Sequence, residues 1–163
     1  MVDDQKLYSI KLTGYWMDVG QPKDYIQGIK LHLGHLKLIK DPSLAIENGK
    51  NIIGNVLIHP SAKISPNCLL GPNVSIGENA EIHDGVRIKE SAVFSDVVVK
   101  RNAYINGAII GWGTNIGAWS RIEPTTVIGE EVNVKDEIYI NGASICPHKD
   151  VDSHITQNGT ILM

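Results

Sequence analysis

The chain has 163 residues, a formal net charge of −3, a pI near 6.0 and 42% hydrophobic residues. That length fits one domain, or a domain with a fragment attached, and the acidic balance excludes the basic surface that nucleic acid selects. No apolar run approaches the roughly 20 residues of a membrane span, the polar start Met1-Val2-Asp3-Asp4 is unlike a signal peptide, and two cysteines build no disulfide framework, so a cytoplasmic protein is expected.

Residues 6–19 read as a hairpin. Leu7, Tyr8, Ile10 and Leu12 form one run, Tyr15 to Val19 the other, and Thr13-Gly14 stands at the turn. Gly20-Gln21-Pro22-Lys23-Asp24 then carries helix start signals, an early proline and an acid in the first turn. Ile26, Ile29, Leu33 and Leu36 keep helical spacing, with Tyr25 and Ile39 nearby, until Asp41-Pro42 stops the helix. The spacing predicts an amphipathic helix of about eighteen residues. Its apolar stripe needs a partner, which the side or end of the following region can supply.

From Ile53 onward, aliphatic residues recur with a step of six. The series is Ile53, Ile58, Ile64, Leu70, Ile76, Ile82, Ile88, Val93, Val99, Ile105, Ile110, Ile116, Ile122, Ile128, Val134 and Ile140. Neither a helix nor an ordinary strand sustains such a run. A hexapeptide period fits a parallel β-helix, in which each flat segment sends one aliphatic side chain into a shared core. Three steps are five residues long: Ile53 to Ile58, Ile88 to Val93 and Ile105 to Ile110. In a three-sided coil all three fall on the same side, which predicts a triangular prism of about five turns.

The residues between the aliphatics agree. Four positions after each aliphatic stand small or β-branched side chains, among them Ala62, Cys68, Val74, Ala80, Val86, Val97, Ala103, Thr114, Ser120, Thr126 and Val132. A tight corner has little inward volume, so Cys68 is expected as a buried small apolar group; Cys146 lies in the tail. Three positions after the aliphatic come Asn67, Asn73, Asn79, Gly85, Asn102 and Gly113. Asn and Gly tolerate the positive φ of a sharp corner. Turns stacked about 4.8 Å apart give a rod roughly 24 Å long, whose ends are open sheet edges.

Few residues on the coil suggest chemistry. His59 and His83 directly follow their aliphatics and should point outward, on different sides of the prism. Zinc in the manner of a γ-class carbonic anhydrase requires three convergent histidines, which these do not supply. A hexapeptide-repeat acyltransferase, the main enzyme alternative, also uses a histidine; His148, in Pro147-His148-Lys149, and His154 are the remaining candidates. His148 reads as a structural turn. Trp112 and Trp119 occupy outward positions and are interface candidates, since exposed Trp is enriched at interfaces.

The stretch Gly14-Tyr15-Trp16-Met17-Asp18-Val19-Gly20-Gln21-Pro22-Lys23-Asp24-Tyr25 resembles the closing motif of the nucleotidyltransferase domain in sugar-nucleotide pyrophosphorylases. With Ile109-Ile110-Gly111-Trp112, Asn141-Gly142-Ala143 and Pro147-His148-Lys149, nearly the whole chain resembles the mannose-1-phosphate guanylyltransferase family of catalytic-subunit type. The resemblance implies a left-handed hand for the β-helix. It divides the chain into a remnant of the nucleotidyltransferase domain (1–20), a linking helix (21–47), the β-helix (50–145) and a C-terminal tail (146–163).

The resemblance also implies a reaction. Mannose 1-phosphate attacks the α-phosphate of GTP with Mg²⁺, giving GDP-mannose and pyrophosphate, and the motif's metal-holding aspartate matches Asp18. Mg²⁺ favours one or two carboxylates plus substrate phosphates. The family's Gly-rich phosphate loop has no counterpart in this sequence, nor do its first metal aspartate and its sugar-phosphate lysines. The expectation is a C-terminal portion that is inactive alone, needs no cofactor of its own and serves assembly. It is expected to form a homo-oligomer through the β-helix and to be able to join a non-catalytic sister subunit. A pyrophosphorylase of the ADP-glucose type is the alternative within the superfamily.

Overall fold

The structure, a computed structural model, describes residues 8–163. The chain runs as one helix followed by a coil of very short parallel strands. The helix α1 is Pro22–Leu38. The first turn of the coil holds β1 (Val56–Ile58), β2 (Lys63–Ile64) and β3 (Leu69–Leu70). The second holds β4 (Val74–Ile76), β5 (Glu81–Ile82) and β6 (Arg87–Lys89); the third holds β7 (Ser91–Val93), β8 (Val98–Val99) and β9 (Tyr104–Asn106). The fourth holds β10 (Ile109–Ile110), β11 (Asn115–Ile116) and β12 (Arg121–Glu123); the fifth holds β13 (Val127–Ile128), β14 (Asn133–Val134) and β15 (Tyr139–Asn141). After these come β16 (Ser144–Ile145), β17 (Asp150–Val151) and β18 (Ile161–Leu162).

Up to β17 every third strand pairs, and β18 pairs with β16, always in parallel, so the coil has three flat faces. Face 1 contains β1, β4, β7, β10, β13, β16 and β18; face 2 contains β2, β5, β8, β11, β14 and β17; face 3 contains β3, β6, β9, β12 and β15. The register puts like on like. On face 1, Ile58, Ile76, Val93, Ile110, Ile128 and Ile145 stack in one column. Ile88, Ile105, Ile122 and Ile140 stack on face 3. These columns meet in a single core, in which Ile105, Ile110, Ile116, Ile122 and Ile140 are wholly buried.

The corners follow the sequence closely. Cys68, Val74, Ala80, Val86, Val97, Ala103 and Val132 are buried beside the aliphatic columns. Thr114 and Ser120 occupy the same position and are buried too, so their hydroxyls need partners. Thr114 Oγ1 donates to the Gly129 carbonyl at 2.8 Å, and Ser120 Oγ donates to the Lys135 carbonyl at 2.9 Å, each bond joining successive turns. Asn73, Asn79, Gly85, Asn102 and Gly113 have left-handed φ as expected; Asn67 does not.

Three details differ from the sequence reading. The coil makes about six turns, not five. Past Ile140 the inward residues are Ile145, Val151, Ile155 and Leu162, so the core continues, but with irregular steps that hide the period. The first inward residue is Ile52, bridged to Leu70, rather than Ile53, which is 37% exposed. The step from Ile52 to Ile58 is therefore a full six. The short steps run from Ile88, Ile105 and Ile140, all at the corner from face 3 to face 1. There a single residue with left-handed φ, Glu90, Gly107 or Gly142, closes the tighter turn.

The third difference lies before the helix. Residues 8–20 form no strand, so the expected hairpin is not found among the described residues; its first members, Lys6 and Leu7, lie outside them. Tyr8 and Ile10 are 86% and 87% exposed. A two-stranded hairpin without further packing is marginal in water; here Tyr15 packs instead on α1, its ring centroid 5.9 Å from that of His32 and 5.4 Å from that of His35. The helix behaves as expected. Pro22 opens it, Asp24 Oδ2 accepts from the Gln21 amide at 3.0 Å, and Leu33 is fully buried. It docks on the side of the coil, against β7.

Truncating a central column residue tests this core. Ile122→Ala should cost about 2–5 kcal/mol in urea denaturation, from lost burial plus a cavity that stacked neighbours cannot fill. Ile46→Ala, at an 88% exposed position, should stay within about 0.5 kcal/mol of the parent.

Candidate functional site

Asp18 stands in the extended segment that leads into α1, and its surroundings are exposed. Trp16, two residues before it, is 73% exposed and Val19, next to it, 52% exposed. Among the described residues no group of three His, Cys, Asp or Glu side chains converges to hold a metal ion. Mg²⁺ held by protein needs carboxylates supplemented by substrate phosphates or further oxygens, and one exposed carboxylate does not form such a site.

The structure separates the histidines. His59 lies at a corner between faces 1 and 2, where its Nδ1 is 2.8 Å from Ser61 Oγ. His83 lies at a corner between faces 2 and 3 and is exposed. His154 Nδ1 accepts from the Tyr139 amide at 3.1 Å, which fixes the last turn. His148 has a left-handed φ of 59°, and its Nδ1 sits 3.1 Å from Glu131 Oε2. His148 thus closes a corner, and the four do not form a cluster. Cys68 is buried with Sγ 3.0 Å from the His83 carbonyl, and burial pushes its thiol pKa up, so it is a packing residue.

The two tryptophans of the coil stand at the corners that flank one strand, β11. Trp112 is at the corner between faces 1 and 2, Trp119 at the corner between faces 2 and 3; they are 54% and 60% exposed. Trp112 is braced, its ring centroid 4.6 Å from that of Phe94, one turn away. Phe94 in turn meets Tyr25 of α1 edge-on at 6.2 Å. An aromatic chain therefore runs from the helix across the corner to Trp112. Trp119 has no such brace and has a left-handed φ of 61°, unusual for a bulky residue. It lines a cleft of about 420 Å³ with Gly85, Arg87, Asn102, Tyr104 and Arg121.

Residues 52–161 match the family described as the GMPPB C-terminal domain. The chain belongs to that family. It is 52% identical, over all 163 residues, to a mannose-1-phosphate guanyltransferase of Schizosaccharomyces pombe, covering 100% of this chain and 45% of that protein. It is 46% identical over 162 residues to the mannose-1-phosphate guanylyltransferase catalytic subunit beta of Drosophila melanogaster, covering 99% of this chain and 43% of that protein. The chain thus spans less than half the length of these relatives. Among solved structures, the acetyltransferase domain of PglB from Neisseria gonorrhoeae overlaps 58% of the chain and 51% of that domain, at 26% identity and a TM-score of 0.36, too loose a match to bear on function.

Membership of this family accounts for the coil, which the matched residues 52–161 span. It leaves the cleft beside Trp119 unexplained, and the sequence reading missed the cleft's other residues. Their signal was present: Arg87, Tyr104, Arg121 and Tyr139 each directly precede an inward isoleucine, one turn apart.

The helix anchor can be tested by pH. Burial holds the Tyr25 hydroxyl above its ordinary pKa of 10.0 in the folded chain. Above about pH 10 the unfolded chain releases a proton that the folded chain keeps, so this group's contribution is complete below that pH and falls as pH rises. Tyr25→Phe should flatten the alkaline decline in stability measured by denaturation between neutral pH and pH values above 10.

Proposed function

We propose that this chain is the C-terminal, β-helical portion of a nucleotidyltransferase that makes GDP-mannose and pyrophosphate from GTP and mannose 1-phosphate. The observation that carries the reading is 52% identity, along every residue of the chain, to a mannose-1-phosphate guanyltransferase. In the whole enzyme Mg²⁺ would neutralise charge on the transferring phosphoryl group, with Asp18 as one of its carboxylate contacts. By itself this chain offers that single exposed carboxylate and no Gly-rich phosphate loop. Its own role is scaffolding and assembly, in the cytoplasm, as a homo-oligomer or with a non-catalytic sister subunit.

Several features support an assembly role. The segment 8–20 exposes Tyr8, Ile10, Leu12, Trp16 and Val19, apolar surface that a neighbouring catalytic domain can cover. The coil ends in sheet edges, and open edges favour pairing with another chain. Trp112, braced by Phe94, presents a rigid aromatic surface of the kind enriched at interfaces. Trp119, the other interface candidate, faces the cleft of face 3.

Two measurements decide this. The purified 163-residue chain, supplied with GTP, mannose 1-phosphate and Mg²⁺, should form no GDP-mannose; detectable product ends the reading of an incomplete catalyst. Light scattering should show self-association at high micromolar concentration, weakened by Trp112→Ala. A strictly monomeric mass there ends the assembly reading.

A further inference from the structure

Face 3 differs from the other two faces in its outward side chains. Arg87, Tyr104, Arg121 and Tyr139 are register partners on successive strands, so cations and aromatic rings alternate up the face at strand spacing. The Arg121 guanidinium lies 4.8 Å from the Tyr104 ring centroid, and Lys89 Nζ lies 5.8 Å from it. Both distances are within cation–π range. Glu123 accepts from Arg121 Nε at 2.6 Å and is the acid paired within this group. Arg87 has no ion pair among the described residues. On the strands of this face Arg87, Lys89 and Arg121 stand against Glu123, with Glu90 and Glu137 at its corners.

The adjoining corner supplies shape. Gly85, with φ +71°, carries no side chain, and a Cβ there would meet the Asn102 amide oxygen at 2.1 Å. The Asn102 amide therefore leans across Gly85 and forms one wall. One turn beyond, Trp119 holds the equivalent corner in a backbone conformation that disfavours its size, with its indole 60% exposed. Core packing does not require an indole here, since the equivalent corners hold Gly85, Asn102 and Glu137, all with the same left-handed φ.

We propose that this cleft binds a nucleoside phosphate, with its base stacked on Trp119 and its phosphate held by Arg87. The Tyr104 ring is occupied by the Arg121 guanidinium, which leaves the Trp119 indole as the free stacking surface. The Asn102 amide offers a donor and an acceptor to the edge of a base. Arg87 offers a planar fork of donors suited to phosphate. The cleft's volume of about 420 Å³ lies in the range of small-ligand sites, which favours a nucleotide over an extended acidic protein. The site lies on the coil, away from Asp18, and does not depend on the activity of the parent enzyme.

Calorimetry on the 163-residue chain at low salt tests this, with GDP and ADP as probes and inorganic phosphate and guanosine as half-ligands. Both nucleotides should bind once per chain, and each half-ligand should bind at least about tenfold more weakly, because stacking and charge pairing each contribute at that level. Arg87→Met should weaken GDP by about tenfold. Trp119→Gly should weaken GDP by at least about tenfold without lowering the melting temperature, since glycine accepts the positive φ. Absence of binding by either nucleotide at millimolar concentration overturns the proposal. So does unchanged GDP affinity in Trp119→Gly, or phosphate binding as tightly as GDP. Binding of an acidic peptide with no nucleotide binding would assign the patch to a protein partner and likewise overturn it.

Discussion

The structure depends on one constraint: each inward aliphatic must sit on its equivalent one turn above, at the spacing set by backbone hydrogen bonds between turns. The bonds fix the vertical distance. The columns of Ile, Val and Leu then fill the prism because every layer has the same cross-section. This accounts for the narrow choice of residues: a smaller side chain leaves a void repeated by no neighbour, and a larger one displaces the turns above and below. It also accounts for the corners, where Thr114 and Ser120 can replace an apolar group only because their hydroxyls reach carbonyls of the next turn. Gly111 shows the same constraint from the outside. A Cβ on it would lie 2.5 Å from the Gly129 backbone, so the stacked chain itself excludes a side chain there.

This constraint is also what made the fold legible. A period of six is a distance along the chain, and the architecture turns it directly into a distance around the prism. Reading failed where the two scales parted. Beyond Ile140 the chain still delivers aliphatics to the core, but irregular corners change the count, so the sixth turn was invisible. At the start, Ile52 and Ile53 are chemically equivalent neighbours, and only the pairing of Ile52 with Leu70 decides which one faces inward. The hairpin failed for a different reason. Alternation in residues 6–19 describes a strand that has something to cover, and in the described part of that segment Tyr8, Ile10, Leu12, Trp16 and Val19 face solvent while Tyr15 packs on α1.

The outward positions obey no such rule, which is why function was harder to read than fold. Each face shows different chemistry in its outward column. Face 1 presents Leu57, Ser75, Ala92, Ile109 and Val127, small or apolar groups, and α1 lies against it at β7. Face 2 satisfies itself: Lys63 pairs with Glu81 at 2.7 Å, and the Asn133 amide donates to Asp150 at 2.8 Å. Face 3 carries the cations and rings. The candidate metal ligand, Asp18, lies off the coil altogether, so no regularity of the repeat could assign it a partner. Its assignment rests on kinship alone, whereas the core rests on geometry.

A scaffold of this type separates the demands of stability from those of recognition. The inward side chains hold the prism, so outward ones are free to vary in sets that line up vertically, one turn apart. Trp112 and Trp119 show how differently two such positions are used. They flank the same strand and have similar exposure, yet Trp112 is tied through Phe94 and Tyr25 to the helix, while Trp119 stands at a corner that Gly85 and Asn102 occupy on earlier turns. The first arrangement has a structural explanation in the docking of α1. The second has no such brace among the described residues, and its large exposed ring stands beside Arg87, which has no ion pair among them. Exposure alone therefore says little about a solenoid's surface residues; what each one leans on within its column distinguishes a brace from a binding site.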